Sequence, residues 1–414
     1  MLWSDSAVWA VAAVAIAGML LRPWRVPEWI WASGGATLLV GTRLLDPAAA
    51  FGALGRGVDV YAFLIGIMGL SEIARSERVF AWIAHAMLSR GGGSQRRLFG
   101  LVYGIGVLVT IFLSNDTTAV VLTPAVIAAL AQTDVDPLPY LFACAFVANA
   151  ASFVLPISNP ANLVVFGRHL PLLGTWLSAF GIAAAASVGL TYLTLRFCTR
   201  RLLRGPYSYR VGLVTVSART RFAAALIAAA SLLLVVAATF GWNLGLTALC
   251  SAGSVLLVIG LRDIDAVGQV ARHISWQVVP LVAGLFVIVA ALDSRGATES
   301  VRLLITTAGT LGHAEGRLLV AGAFALADNV FNNLPVAVAG GYALSSMHLS
   351  SAIAHATLVA VDIGPNLSVS GSLATILWLI ALRREGIHVT ARQFLGLWAA
   401  VGIPALIAAC LLVR

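Results

Sequence analysis

Apolar stretches long enough to form membrane helices follow one another along most of the chain, and short polar or arginine-rich segments separate them. A helix needs about 20 apolar residues to cross the hydrocarbon core of a bilayer, where irregular backbone is costly. The pattern therefore predicts an all-α polytopic membrane protein with about ten transmembrane helices. The uninterrupted helices are predicted near residues 6–21, 26–45, 58–73, 174–195, 222–240, 244–261, 278–292 and 394–413.

A polar segment interrupts one of the most apolar regions of the first half. Ser114-Asn115-Asp116-Thr117-Thr118 lies between two uncharged arms of about 13 to 16 residues, each too short to cross a bilayer alone. We predict a re-entrant hairpin over residues 98–131 with this segment at its tip. Because an aspartate at that depth is costly, Asp116 is a candidate for a functional site.

The second half contains a similar interruption. Asp328-Asn329-Val330-Phe331-Asn332-Asn333-Leu334-Pro335 lies between short apolar arms, which predicts a second hairpin over residues 316–346. Asn115-Asp116 and Asp328-Asn329 are each followed by a proline, Pro124 and Pro335. This pattern indicates an internal repeat, and such repeats in membrane transporters meet at the substrate site.

Two further apolar stretches, residues 139–167 and 351–382, are predicted to be broken helices. Pro156 and Pro160 interrupt the first, and a Gly-Pro pair followed by a Ser-Gly-Ser segment interrupts the second. Proline removes a backbone hydrogen bond and clashes with the preceding turn. A helix broken at membrane depth offers free N–H and C=O groups to a ligand.

Composition and charge agree with a membrane protein. The 414 residues are 60% hydrophobic and 10% charged, and the net charge of +9 comes from arginine, since the sequence contains no lysine. The arginines lie between the apolar spans, which fits the positive-inside rule better than nucleic-acid binding. The four cysteines are far apart, so neither a disulfide framework nor a thiolate metal site is indicated, and no metal or cofactor is expected.

The arginine-rich segment 196–221 is predicted to be a cytoplasmic linker between two repeats, residues 1–195 and 222–414. Five crossings per repeat is an odd number, so the repeats must be inverted relative to each other. With both termini outside the inner (plasma) membrane, the arginine-rich loops near residues 22–25, 75–97, 196–221, 262–272 and 383–392 all lie in the cytoplasm.

The interrupted elements supply amides, hydroxyls and carboxylates but almost no positive charge. These groups suit an uncharged polyhydroxyl solute or a small cation. The alternative for each amide or hydroxyl is that it only forms hydrogen bonds to backbone groups left unpaired at the breaks. A buried carboxyl group with alternating access to water can carry a proton, so Asp116, Asp328 and Asp362 are the candidate proton carriers. The candidate substrate-binding residues are Asn115, Thr117, Thr118, Ser158, Asn159, Asn162, Asn329, Asn332, Asn333, Asn366, Ser370 and Ser372.

Several of these segments, in this order, resemble the ArsB family of arsenite/antimonite efflux permeases. The resemblance implies the fold of the ion transporter superfamily and export of trivalent arsenic and antimony hydroxides in exchange for protons. It also implies action either alone or with a soluble arsenite-stimulated ATPase. The similar segments are residues 69–75, 113–124, 149–152, 156–162, 328–335 and 361–366.

The chemistry of the candidate residues agrees with this resemblance. Arsenite near pH 7 is mainly uncharged As(OH)3, which hydrogen bonds can bind and release, whereas three thiolates would hold it too tightly. Two other transporters of the superfamily stay open as alternatives, a Na+/H+ antiporter and a sodium-coupled carboxylate importer. An intramembrane enzyme is disfavoured because the sequence shows neither a paired nucleophile and base nor a metal motif.

Overall fold

The computed structural model describes residues 2–208, 217–345, 347, 351–367 and 371–414. Within these residues the fold is nearly all helical, and the β-type pairing is one isolated bridge between Ser94 and Pro206. The predicted class, an all-α polytopic membrane protein, is confirmed. The helices of the first half are α1 Leu2–Leu21, α2 Glu28–Gly41, α3 Pro47–Arg56, α4 Val58–Ser76, α5 Val79–Gly91, α6 Gln95–Leu113, α7 Asn115–Leu130, α8 Leu138–Ala150, α9 Pro160–Phe166 and α10 Leu173–Cys198.

The second half has the same order of elements. Two helices come first, a short helix and a longer one follow, and then come a connecting helix, a hairpin, a broken helix and a final long helix. The helices are α11 Ala218–Phe240, α12 Leu244–Gly260, α13 Ile264–His273, α14 Val278–Asp293, α15 Ala297–Thr310, α16 His313–Phe331, α17 Asn333–Ser345, α18 Ser351–Ile363, α19 Leu373–Arg384 and α20 Ala391–Leu412.

Many of the predicted crossings are short. Among the described residues, five helical stretches are long and apolar enough to cross a membrane alone, or six when the bent pair α3–α4 counts as one span. The others include α2, which at 14 residues is about 21 Å long, against about 30 Å of hydrocarbon. The five are Gln95–Leu113, Leu173–Cys198, Ala218–Phe240, Ile264–Asp293 taken across its break, and Ala391–Leu412.

Three short helices, α3, α13 and α15, were not anticipated from the sequence, because they lack long apolar runs. The side chain of Asp263 starts α13 by accepting hydrogen bonds from the backbone N–H groups of Asp265 at 3.2 Å and Ala266 at 3.4 Å. In the order of elements, α13 and α15 of the second half correspond to α3 and α5 of the first.

The two halves pack on each other through two pairs of helices, each pair with one helix from either half. Helix α4 of the first half lies along α12 of the second, and α14 of the second half lies along α2 of the first. A Cβ atom on Gly66 would lie 2.3 Å from the carbonyl carbon of Ala248, and one on Gly284 would lie 2.6 Å from that of Ala32. Small residues let helix backbones approach this closely in membranes.

Gly66→Ala and Gly284→Ala are expected to destabilise the protein, because each new methyl group meets backbone that cannot move aside. Overpacking of this kind costs about 1–3 kcal/mol. The measurement is thermal unfolding of the purified protein in detergent. Gly104→Ala is the matched control, since a Cβ atom there meets nothing within 4 Å. Equal melting temperatures for all three variants and the wild type would contradict the close packing.

Candidate functional site

Each hairpin turns on a single residue whose backbone lies in a region that favours glycine. Ser114 has φ 103° and Asn332 has φ 73°. Their side chains accept hydrogen bonds from the next helix, Ser114 Oγ from the Thr117 N–H at 3.5 Å and Asn332 Oδ1 from the Leu334 N–H at 3.3 Å. A residue held in such a conformation costs about 1–3 kcal/mol and is most often found at functional sites.

The shared turn geometry changes how the two hairpins correspond. The sequence suggested that Asn115-Asp116 matches Asp328-Asn329, but the turns match Ser114 with Asn332. Asp328 lies one helical turn before the second tip and is completely buried. The side chain that follows the second turn at the position of Asp116 is Leu334, so only the first tip itself carries a carboxylate.

The broken helices also restart in the same way in both halves. Asn159 Oδ1 accepts a hydrogen bond from the Ala161 N–H at 3.0 Å and starts α9. Ser372 Oγ accepts one from the Ala374 N–H at 3.2 Å and starts α19. Both are N-cap interactions that fix where the second part of each broken helix begins. The N-terminal ends of α9 and α19 therefore lie at the break.

Two buried hydrogen bonds join the broken helices of the two halves. Asn149 Nδ2 donates to Asn366 Oδ1 at 2.6 Å, and Asn159 Nδ2 donates to Asp362 Oδ1 at 2.7 Å. All four side chains are 0–3% exposed. Asn149 was not among the predicted site residues, because it lies inside an apolar helix; its position near the break and within the family-like segment 149–152 could have marked it.

A central cavity lies where both hairpin tips and both broken helices meet. Its volume is about 80 Å³. The described residues that line it include Asp116 and Glu28, which pairs with Arg22, and none of them is an arginine, lysine or histidine. Six predicted site residues line it, namely Asn115, Asp116, Asn159, Asn332, Asn333 and Ser372.

A larger cavity of about 650 Å³ adjoins the central one. The two share the lining residues Leu64, Asp116, Pro160 and Val278, and the larger one extends to a basic rim that includes Arg384. A third cavity, of about 590 Å³, has no lining residue in common with the central one.

Close contact between α9 and α17 accompanies that separation. A Cβ atom on Gly341 would lie 2.6 Å from the carbonyl oxygen of Val164, so the two backbones nearly touch. Both Gly341 and Val164 line the third cavity. The central cavity thus shares lining residues with one wide cavity and none with the other.

Two predicted carboxylates lie behind the central cavity rather than in its lining. Asp328 and Asp362 are both completely buried. Both carboxylate oxygens of Asp328 and Oδ2 of Asp362 have no hydrogen-bond partner among the described residues. A Cβ atom on Gly364 would lie 3.0 Å from Asp328 Oδ2, which places this carboxylate against the break that follows Asp362. Unpartnered acids at this depth are candidates for a functional role.

Some of the predicted residues instead hold the backbone together. Asn162 Nδ2 donates to three carbonyl oxygens of the first break, at 3.0–3.3 Å, and Ser158 Oγ donates to the Ile111 carbonyl at 3.1 Å. Thr117 shares a hydrogen bond of 2.6 Å with Ser71, and Thr118 one of 2.8 Å with Thr110.

The remaining two described candidates lie at the second break. Asn329 Nδ2 donates to the Ala325 and Gly364 carbonyls at 2.6 and 2.7 Å, and Asn366 accepts from Asn149. Ser370 lies outside the described residues. The structure thus places the candidates around the two tips and breaks, and their binding roles stay predictions.

Comparison with known proteins shows which family the chain matches. The model of the citrate transporter family CitMHS matches residues 12–382. The chain is 28% identical over 353 residues to an arsenical pump membrane protein of Yersinia enterocolitica, covering 80% of each chain. It is 25% identical over 373 residues to the arsenical pump membrane protein of Escherichia coli K12, covering 86% of each. The resemblance to the ArsB-type permeases is therefore confirmed.

A solved structure shares the fold. The YdaH transporter of Alcanivorax borkumensis superposes with a TM-score of 0.56 over 90% of this chain and 88% of that one, at 18% sequence identity.

The hydrogen bond between Asn149 and Asn366 is expected to hold the two broken helices together. Asn149→Ala should cost about 1–3 kcal/mol of unfolding free energy, because it leaves the buried Asn366 oxygen without a donor. A double-mutant cycle with Asn366→Ala should give a coupling energy of about 0.5–3 kcal/mol. Additive effects of the two single variants in thermal or urea unfolding would show that the bond does not form.

Proposed function

The chain belongs to the citrate transporter family, and we propose that this member exports trivalent arsenic and antimony, as uncharged hydroxides, in exchange for protons. Its relatives support a multi-pass membrane transporter. The name arsenical pump membrane protein, carried by relatives that align with most of this chain, supports the substrate. The observation on which the proposal rests is the small central cavity whose described lining bears no positive charge.

The cavity favours a small neutral solute over an anion. An anionic carboxylate or phosphate is normally bound by arginine, lysine or a helix N-terminus. The N-terminal ends of α9 and α19 adjoin the cavity, but no arginine or lysine is among its described lining residues. Here the described lining offers amides and hydroxyls from Asn115, Asn159, Asn333 and Ser372, beside the carboxylate of Asp116. As(OH)3 has three hydroxyl groups that can donate to these oxygens and accept from the amide N–H groups. A tricarboxylate would bring its negative charges beside Asp116 in a space of about 80 Å³.

Competition at Asp116 accounts for the exchange. When Asp116 is ionised, its carboxylate accepts hydrogen bonds from the hydroxyl groups of the substrate. A proton taken up from the far side neutralises the carboxylate, removes that acceptor and releases the substrate. Asp328 and Asp362, buried behind the tips, are the other two candidate carriers of the proton.

Alternating access follows from the difference between the two wide cavities. We assign the 650 Å³ cavity to the cytoplasmic side, because its rim includes Arg75, Arg78 and Arg384. The 590 Å³ cavity then opens outward, and both termini lie outside the inner membrane. Transport requires the α9–α17 contact at Gly341 to open while the cytoplasmic route closes. The units that move against each other are proposed to come from two inverted repeats, residues 1–195 and 222–414.

A sodium-coupled carboxylate transporter is the second candidate, and the name of the citrate transporter family favours it. The buried oxygens of Asp328 and Asp362 could hold a sodium ion as well as a proton. A Na+/H+ antiporter would use the same groups. The three functions differ in the solute that moves and in the ion gradient that drives it.

Everted membrane vesicles with an imposed pH gradient, acidic inside, are expected to accumulate arsenite and antimonite. Because the cavity is small and its described lining has no cationic side chain, an excess of citrate should not inhibit uptake. The measurement is metalloid content after filtration, with vesicles lacking the protein as control. Since no ATP is supplied, accumulation would also show that an ATPase subunit is not needed. Uptake that requires a sodium gradient, or that citrate blocks, would overturn the proposal.

Asp116→Asn, Asp328→Asn and Asp362→Asn should each reduce this uptake to the level of control vesicles, or uncouple it from the pH gradient, while leaving the protein folded. Asparagine keeps the size of the side chain but cannot take up a proton. Asp136→Asn, in the exposed loop after the first hairpin, is the matched control. Wild-type, gradient-driven uptake in all three variants would mean that none of these aspartates carries the proton.

A further inference from the structure

Helix α10 is longer than the hydrocarbon core of the membrane is thick. Its 26 residues span about 39 Å, whereas the hydrocarbon core is about 30 Å thick. Near its C-terminal end Leu193 and Phe197 are 60% and 62% exposed, which marks a face turned to lipid. The last turns of α10 therefore extend along that face into the headgroup layer.

Exposed arginines continue the same face beyond these apolar residues. Arg200 lies over the ring of Phe197, with its guanidinium carbon 4.1 Å from the ring centre. Arg196 donates a hydrogen bond of 2.8 Å to the hydroxyl of Tyr192. Arg201 and Arg204 follow in the turn after the helix, and all four arginines are exposed.

The turn between α5 and α6 brings three more arginines to this place. The Tyr207 N–H donates to the Gly93 carbonyl at 2.8 Å, and its hydroxyl donates to the Leu88 carbonyl at 2.6 Å. These bonds hold the segment after α10 against the turn that carries Arg90, Arg96 and Arg97, which are also exposed.

These seven arginines differ from others at the ends of membrane helices. In the described part of the chain none of the seven forms an ion pair with a carboxylate, whereas Arg219 is bound to both Glu77 and Asp263 at 2.6–2.7 Å. Asp134, an acidic loop side chain in contact with this segment, accepts hydrogen bonds from Ser208. The surface therefore keeps its positive charge available to a partner.

We propose that this surface, which we call the arginine shelf, binds the phosphate headgroups of anionic phospholipids. Arginine matches the geometry of phosphate oxygens and pairs with them through two hydrogen bonds. The charged groups adjoin lipid-facing Leu193 and Phe197, so a lipid whose acyl chains lie along α10 would place its headgroup among them. A soluble acidic partner would not use that apolar continuation.

The test is lipid binding to the purified full-length protein, measured by native mass spectrometry and by thermal stabilisation on adding phosphatidylglycerol, cardiolipin or phosphatidylcholine. Each arginine near an anionic surface contributes roughly fivefold in affinity at low salt. The wild type should thus prefer the anionic lipids by at least that factor. The preference should shrink at high salt because exposed charges are screened.

Changing Arg196, Arg200, Arg201 and Arg204 together to Gln should reduce this preference at least fivefold while the gel-filtration profile stays unchanged. The control is Arg272→Gln with Arg392→Gln, two exposed arginines outside the shelf, which should leave the preference as in the wild type. Equal binding of anionic and zwitterionic lipids by the wild type would overturn the proposal. So would a preference that the four substitutions leave unchanged, or one that inorganic phosphate at millimolar concentration abolishes, since that would indicate a site for the free anion.

Discussion

Polar groups inside a bilayer must find their partners within the protein, since hydrocarbon offers none. In this chain the broken helices of one half find part of theirs in the other half. Asn149 is paired with Asn366, and Asn159 is paired with Asp362, each at hydrogen-bonding distance in a buried environment. Neither break is fully satisfied without its counterpart. The two broken helices therefore lie against each other because their buried polar groups need these hydrogen bonds, whatever role they also have in transport.

Tight helix packing supports this arrangement from outside. Gly66 and Gly284 let the paired helices of the two halves approach to backbone contact, which gives a rigid frame around the tips. Against this frame the tips themselves are strained at Ser114 and Asn332. Strain at a binding site is consistent with a tip that must change its contacts as access alternates. The close contact between α9 and α17 at Gly341 differs from these, because in the proposed cycle the two helices must separate there.

The apolar pattern and the prolines were enough to predict both hairpins, both broken helices and the repeat. They could not predict which residues of the two hairpins correspond, because the residue types do not show that Asn332, rather than a residue near Asp328, adopts the positive φ of the turn. The short helices α3, α13 and α15 were missed because an apolar-span criterion does not detect them. Roles were harder still. Asn162 and Asn159 look alike in sequence, yet one binds three carbonyls of its own break and the other reaches the opposite half.

The central claim is that the two hairpin tips, from opposite halves of the chain, face each other across one small cavity. It is tested most directly by cross-linking Asn115→Cys to Asn333→Cys in membranes, in a protein whose four native cysteines are replaced by alanine. A short bifunctional thiol reagent should join the two positions, whereas the pair Asn115→Cys and Ser294→Cys should remain unlinked. If both positions of the first pair react with a monofunctional reagent but the short bifunctional one never joins them, the tips do not face each other and the account is wrong.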